Sequence, residues 1–288
     1  MNKKGMDLAA GATPQPGEKV VLALHGGAYI RLSAHPSDPT AEIARGLLKS
    51  INSVRRVLSV EYRLSSHKPF QVAHPFPAAL LDALAGYLYL VHEVGFAPSD
   101  IIIEGDSAGG NLALALTRYL IEYHDTPQLP NAPGALLLLS PWVDLGESHS
   151  KLPNGSAVTC ISSDYLPTAE GFRYPVVAFT GPHNPEAAET NPYISPASLN
   201  PALVIDFRNF PRTFIVSGNA EVLLDQIRTL RDKMFRDLGE GNGLSDDEGK
   251  VRYFEAPDAI HDFLVFPWHQ PEVENTLAAI SAWIAAAE

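Results

Sequence analysis

The sequence predicts an α/β protein in which a mostly parallel sheet carries helices on both faces. Two observations lead to this fold class. Short apolar runs, rich in leucine or β-branched residues as buried parallel strands are, recur along the chain. Longer helical patterns separate these runs, and such an alternation of strand and helix implies right-handed crossovers between parallel strands.

In chain order, the predicted strands are residues 20–24, 57–62, 101–104, 135–140, 213–217 and 251–254. The predicted helices are residues 38–49, 77–94, 111–123, 221–238 and 271–287. Segment 145–211, which is rich in proline, serine and aromatic residues, is too long for an ordinary connection and is expected to form a lid or a small inserted lobe. Segment 239–250 has the composition of a flexible acidic surface loop.

Length and composition limit the function classes. With 288 residues and 45% hydrophobic content, the chain can bury one large core. We expect one domain over residues 1–288, with its core in 20–144 and 212–288 and the lid in about 145–211. The net charge of −12 argues against a nucleic-acid partner, because phosphate binding needs Lys and Arg.

Cysteine content and hydropathy limit the environment. The single cysteine, Cys160, excludes an internal disulfide and a thiolate metal cluster, and no metal site is expected. No apolar run has the length of a signal-peptide core or a membrane span. A cytoplasmic protein without a membrane span is therefore the expectation.

The stretch IIIEGDSAGGNLALAL (101–116) runs from a strand through a glycine-rich turn into a helix. Ser107 occupies the apex of this turn, and Gly105 and Gly109 flank it without Cβ atoms that would clash. A serine held there projects above the sheet edge as a nucleophile, and the N–H of Ala108 points into the same space. Ligands of parallel sheets bind beyond the carboxyl ends of the strands, where Ser107 lies.

A base and an acid follow in later loops. His261 comes after the last predicted strand, and we expect it to reach the serine; His269, just before the last helix, is the main competitor. The strand TFIVSG leads to two candidate acids, Glu221 and Asp225. Glu221 lies in the strand-to-helix turn, where the helix dipole would also favour it, whereas a pair with Arg228 would explain Asp225. We expect Glu221 to orient His261.

The stretch VVLALHGGAYI (20–30) supplies an oxyanion hole. Consecutive glycines let backbone N–H groups approach a substrate oxygen without obstruction by side chains. Gly26 and Gly27, together with Ala108, are the expected donors. His25 is then more simply explained as a scaffold for this loop than as a base.

These motifs resemble the hormone-sensitive-lipase-like branch of the α/β-hydrolase family. The blocks HGGAY, VEYRLSSHKPFQVAHPFPAALLD, GDSAGGNLALAL, SPWVDL, GNAEVLLDQ and IHDF follow that family's order over roughly residues 20 to 285. Serine, acid and histidine also occur in the order of α/β-hydrolases. The resemblance implies an α/β-hydrolase fold and a carboxylic-ester hydrolase that needs no cofactor. By position, Ser107 matches the nucleophile, Glu221 the acid and His261 the base.

Three departures from the family pattern affect these expectations. The family's acid is commonly Asp, so Glu221 is a longer variant and Asp225 remains an alternative candidate for the acid. The oxyanion block ends in Ala28 instead of a third glycine, which would tighten the acyl side of the pocket. Only about twenty residues precede the first predicted strand, so the first two strands of the family's sheet are expected to be missing. An exposed sheet edge would follow, which makes a homodimer plausible.

The expected activity is hydrolysis of small carboxylic esters through an acyl-enzyme, with short acyl chains and bulky or aromatic alcohol parts. An amidase or arylformamidase could use the same triad, and a ligand-binding receptor could use the same scaffold. Receptors that resemble this family have lost the catalytic histidine, whereas His261 is present. The aromatic residues of the lid are expected mainly to pack it onto the sheet, with a few facing the site: Tyr165, Phe172, Tyr174, Phe179, Tyr193, Phe207 and Phe210.

Overall fold

The computed structural model describes residues 1–4, 9, 11–183 and 186–288. Its strands are β1 (Lys19–Leu24), β2 (Val54–Ser59), β3 (Ile101–Asp106), β4 (Ala135–Leu139), β5 (Arg212–Gly218) and β6 (Val251–Ala256). They form one sheet in the order β2-β1-β3-β4-β5-β6, and every pairing within it is parallel. The predicted parallel sheet is confirmed, and the carboxyl ends of all six strands lie along the same edge.

Helices cover both faces of this sheet. In chain order they are α1 (Ala41–Ser50), α2 (Ala78–Leu88), α3 (Ala108–Glu122), α4 (Ser156–Thr159), α5 (Ala169–Thr180), α6 (Ala187–Thr190), α7 (Leu224–Leu238) and α8 (Glu272–Ala285). Residues of α1 and α8 bury their apolar side chains in the core on one face. Residues of α2, α3 and α7 do so on the other. Helices α4, α5 and α6 belong to segment 145–211.

The second strand lies three residues earlier than predicted. The sequence favours residues 57–62, whereas β2 covers Val54–Ser59, and its pairing with β1 ends at Ser59 opposite Ala23. Tyr62 is buried for another reason: its ring stacks on His25 at 4.1 Å between centroids, and its hydroxyl donates to the His25 carbonyl at 2.6 Å. An apolar run indicates that its residues are buried, not that they form a strand. Here Tyr62 is buried by packing beyond the end of β2.

The edge strand β2 is partly covered by the first residues of the chain. The Met1 amino group donates to the Val57 carbonyl at 2.7 Å, and the Val57 N–H donates back to Met1 at 2.8 Å. The Lys3 N–H donates to the Arg55 carbonyl at 2.7 Å. The expectation of an open edge therefore fails for this part of β2. None of the helices in the described residues combines the length and the apolar character needed to cross a membrane.

Candidate active site

Ser107 lies at the sharp turn between β3 and α3. Its backbone angles, φ 51° and ψ −118°, are rare for a residue other than glycine and indicate strain that the surroundings must hold. Gly109 permits the turn, because a Cβ atom there would lie 1.8 Å from the Leu24 carbonyl oxygen. The Ser107 N–H donates to Leu139 at 2.9 Å, and its carbonyl accepts the Trp142 N–H at 2.9 Å. These contacts fix the strained turn from both sides.

The loop after β6 brings His261 onto this serine. Nε2 of His261 lies 2.9 Å from Oγ of Ser107, and Nδ1 lies 2.8 Å from Oε2 of Glu221. All three side chains are buried. His269 lies apart, with its Nδ1 3.0 Å from Oε2 of Glu272. The structure thus brings together the three residues singled out from the sequence and leaves the competing histidine outside.

Glu221 is held in the turn between β5 and α7. Its Oε1 accepts the Gly218 N–H at 2.7 Å and the Ser140 hydroxyl at 3.1 Å, while Oε2 faces His261. Because α7 begins at Leu224, three residues later than predicted, Glu221 stays free of the helix. Both carboxylate oxygens are therefore engaged, and the side chain has a fixed direction.

Asp225 has different partners. Its Oδ2 accepts the N–H of Ser156 at 2.7 Å, at the start of α4. Arg228 pairs with Glu255 at 2.6 Å and not with Asp225. Asp225 thus ties segment 145–211 to α7 and does not contact the histidine.

Burial and neighbouring charges set the protonation of the site. Burial raises the pKa of Glu221, and the hydrogen bond and charge of His261 oppose this. Burial alone would lower the pKa of His261, but the charges and hydrogen bonds of Asp262 and Glu221 raise it well above its usual value. The imidazole is therefore a strong proton acceptor. Among the described residues, no group of three or more His, Cys, Asp or Glu side chains could hold a metal ion.

The loop after β1 differs from the expectation at Gly26. Its N–H donates to Oδ2 of Asp106 at 2.8 Å, so this group is not free to bind a substrate oxygen. A Cβ atom on Gly26 would lie 2.3 Å from the same carboxylate oxygen, so the close approach requires glycine. The assignment of Gly26 as an oxyanion donor is corrected accordingly: this residue fastens the loop to β3.

Three other N–H groups face no protein acceptor within the described part of the chain, those of Gly27, Ala28 and Ala108. Gly27 and Ala28 have φ angles of 105° and 54°, which turn the loop through left-handed backbone. Ala108 is the first residue of α3, where helical N–H groups lack an intrahelical partner. Sequence reasoning did not single out the Ala28 N–H, since nothing in an alanine side chain marks a free backbone group.

Aromatic contacts connect this loop with segment 145–211. The Tyr29 hydroxyl donates to Asn111 at 2.7 Å, and its ring stacks on Phe179 of α5 at 3.8 Å between centroids. His25 stacks on Tyr62, and its Nδ1 lies 2.7 Å from the Gly26 carbonyl oxygen. His25 therefore acts as a scaffold, and Tyr29 joins the loop after β1 to α5.

A cavity of about 620 Å³ lies between segment 145–211 and the residues that follow β4 and β5. Its apolar wall includes Trp142, Leu145, Phe172, Val176, Val222 and Leu223. Of the seven aromatic residues in segment 145–211, Phe172 lines this cavity, and the Tyr165 ring lies 6.0 Å from that of His261. The other five have aromatic neighbours elsewhere, with Tyr174 near Phe70, Phe179 on Tyr29, Tyr193 near Phe76, and Phe207 against Phe210.

Comparisons of sequence and of structure with known proteins point to the same family. Residues 21–265 match a family model described as alpha/beta hydrolase fold. The chain is 31% identical over 281 residues to Esterase LipU of Mycobacterium tuberculosis, covering 96% of this chain and 81% of that protein. It is 30% identical over 269 residues to an acetyl-hydrolase of Streptomyces hygroscopicus, with 91% and 73% covered. The crystal structure of a hormone-sensitive lipase from a metagenome library has a TM-score of 0.72 at 28% identity, with 94% and 78% covered.

Proposed function

Because the chain belongs to the α/β-hydrolase fold family and is an esterase-type hydrolase, we propose that it cleaves carboxylic esters with Ser107 as nucleophile, His261 as base and Glu221 as orienting acid. The resemblance to hormone-sensitive-lipase-like hydrolases is confirmed. One observation carries the proposal for the three residues. Oγ, imidazole and carboxylate form a continuous chain of contacts at 2.9 and 2.8 Å, beyond the carboxyl ends of the strands.

The reaction follows from this order of groups. His261 Nε2 takes the proton of Ser107 as Oγ attacks the ester carbonyl, and Glu221 stabilises the imidazolium through Nδ1–H. The tetrahedral intermediate collapses, and Nε2–H gives its proton to the departing alcohol. Water then attacks the acyl-enzyme along the same route, which releases the carboxylic acid and restores the serine hydroxyl.

The N–H groups of Gly27, Ala28 and Ala108 form the proposed oxyanion hole. They come from two rigid segments, the loop fastened to β3 by Asp106 and the first turn of α3. Donors that are already oriented need no rearrangement when negative charge develops on the carbonyl oxygen. Each is typically worth about 3 kcal/mol in the transition state.

The proposed substrate has a short acyl chain and a larger alcohol part. Ala28 carries a methyl group within the proposed oxyanion loop, where the family's pattern has glycine, and we propose that this methyl limits the acyl side. The cavity of about 620 Å³ has the size of an ordinary small-molecule site. Its apolar wall includes Trp142, whose N–H donates to the Ser107 carbonyl, and the alcohol part is proposed to extend from Ser107 into it. The name of the similar acetyl-hydrolase supports a small acyl group.

Replacement of the nucleophile tests the proposal. Ser107→Ala should reduce kcat on p-nitrophenyl acetate by about 10⁴-fold or more, with an unchanged circular dichroism spectrum. Ser37→Ala, at an exposed serine, is the matched control and should keep wild-type activity. A Ser107→Ala protein that hydrolyses the ester at a near-wild-type rate would falsify the assignment.

A further inference from the structure

Asp262 places a second carboxyl group beside the proposed base. Its Oδ2 lies 3.1 Å from Nε2 of His261, the same nitrogen that faces Ser107. The residue is 8% exposed, and its Oδ1 has no hydrogen-bond partner in the described part of the chain. A left-handed backbone, with φ 48°, and an N–H that donates to the Ser140 hydroxyl at 3.2 Å hold it there. The imidazole is therefore contacted by a carboxyl group at each of its nitrogens.

Two more buried carboxyl groups lie on β3 near this contact, those of Glu104 and Asp106, each 2% exposed. No Lys or Arg forms an ion pair with either of them or with Asp262 in the ranges that the structure describes. Burial, and then the charge of Asp262, raises the pKa of Glu104 to about 8. Burial and the charges of Asp262 and Glu104 also raise the pKa of Asp106. Each carboxyl group makes ionisation of the next more costly.

The remaining titratable groups around the pair come from segment 145–211 and the turn after β5. The backbone N–H of His261 donates to Oδ1 of Asp164 at 3.4 Å. Burial raises the pKa of Asp262, the charge and hydrogen bond of His261 oppose this, and the charge of Asp164 adds to the increase. Tyr165 presents its ring at 6.0 Å, and Glu221 occupies Nδ1. Each of these acidic neighbours therefore favours the protonated form of the His261–Asp262 pair.

We propose that Asp262 is a positioning residue for His261. Its carboxylate binds the Nε2–H of the imidazole and sets the pH above which this nitrogen is free to accept the serine proton. The inference rests on the proposed function. A carboxylate at this distance stabilises the imidazolium, so Nε2 keeps its proton to a higher pH. Once that proton is lost, Nε2 accepts the Ser107 hydroxyl. During attack the serine proton arrives at Nε2, and Asp262 again accepts its hydrogen bond.

Glu104 provides a matched comparison, because it belongs to the same buried group without contacting the imidazole. Burial and the charge of Asp262 raise the pKa of Glu104 to about 8, so this side chain carries little charge at lower pH. Removing its carboxyl group should therefore leave the ionisation of His261 below that pH unchanged. The two substitutions separate the local contact from the general effect of buried acids.

The decisive variant is Asp262→Asn, since Asn tolerates left-handed backbone. Ring ¹⁵N resonances of His261, assigned by their absence in His261→Ala, should titrate about one pH unit or more lower than in the wild type. The acidic limb of kcat/KM for p-nitrophenyl acetate should move by the same amount. The plateau rate should fall several-fold, because the imidazole becomes a weaker base. Asp262→Gly, which also suits the backbone, replaces Asn if that variant does not fold.

Glu104→Gln should leave the His261 titration and the acidic limb in place. An unchanged His261 titration in Asp262→Asn would overturn the inference, and so would an equal shift in Glu104→Gln. A lower rate without a shifted limb would mean a purely structural role and would overturn it as well. Failure of the wild type to hydrolyse any ester would instead refute the proposed function, and the titration would still measure the contact.

Discussion

Glu221 and Asp225 lie four residues apart, and the structure gives them separate contacts. Glu221 meets Nδ1 of His261, whereas Asp225 holds the N–H of Ser156. Glu221→Gln should lower kcat by about 10³- to 10⁴-fold, because a neutral amide cannot stabilise the imidazolium or fix its tautomer. Asp225→Asn likewise replaces a carboxylate by an amide of the same size. It should keep kcat within about tenfold and lower the melting temperature. Kinetics on p-nitrophenyl acetate and thermal melts measure both; the opposite ranking of kcat would transfer the acid's role.

The three residues proposed to act through their side chains could be predicted from the sequence. Ser107, His261 and Glu221 each follow a strand signal, and parallel strands deliver such residues to one edge. The contacts of Gly26 and Asp262 could not be predicted in this way. Gly26 loses its free N–H because the Asp106 carboxylate on the adjacent strand reaches it. Asp262 meets Nε2 through a left-handed residue after β6, and no periodicity in the sequence encodes that turn.

At the scale of elements, the close approach of α3 to β1 positions both Ser107 and Ala108. A Cβ atom on Gly109 would lie 1.8 Å from the Leu24 carbonyl oxygen and 2.8 Å from that of His25. Gly109→Ala should therefore destabilise the protein by about 3 kcal/mol or more, because backbone on both sides would have to move. Urea unfolding measures this effect.

Gly46→Ala in α1 is the matched control for this helix-to-strand contact. Its Cβ atom would meet only the Leu277 side chain, at 3.1 Å, and alanine favours a helix by up to about 1 kcal/mol. The control should be close to neutral. Equal unfolding midpoints for Gly109→Ala and the wild type would show that the two elements are not packed as tightly as described.

Segment 145–211 is the element whose structure the sequence predicts least. Its length and composition indicate an insertion, but a core face cannot be assigned where no helical or strand period persists. Five of its seven aromatic rings pack away from the cavity, because Tyr29 and Phe76, among others, offer aromatic surfaces that lie far from them in sequence. The position of β2 was mispredicted for a related reason, since packing on His25 buries Tyr62 beyond the strand's end.

The division between acyl and alcohol sites can be tested on the same element. For p-nitrophenyl esters, kcat/KM should be highest from acetyl to butyryl and fall at octanoyl, because Ala28 is proposed to narrow the acyl side. Phe172→Ala enlarges the cavity and should change the relative rates of phenyl and ethyl acetate while leaving the acyl-length profile in place. A maximum at long acyl chains would mean that the cavity holds the acyl chain instead.

For the molecule as a whole, the alternation of strands and helices was sufficient to predict a parallel sheet covered on both faces. The sequence did not indicate that the first residues of the chain cover the edge of the sheet at β2. Residues Met1 and Lys3 have no strand pattern, yet their backbone pairs with Val57 and Arg55 of β2. An edge strand with unpaired N–H and C=O groups invites association with another chain. The open edge from which a homodimer was expected is therefore absent over the paired residues.

Proline at position 3 tests this cover. Lys3→Pro removes the N–H that donates to the Arg55 carbonyl at 2.7 Å, which should cost about 1 kcal/mol and loosen the neighbouring Met1 contacts. Lys3→Ala is the matched control, since it keeps the backbone bond and loses only the Nζ contact to the Ile51 carbonyl. We expect Lys3→Pro to melt at a lower temperature than Lys3→Ala and to self-associate more strongly in sedimentation velocity. Identical behaviour of the two variants would mean that the first residues do not protect the edge of the sheet.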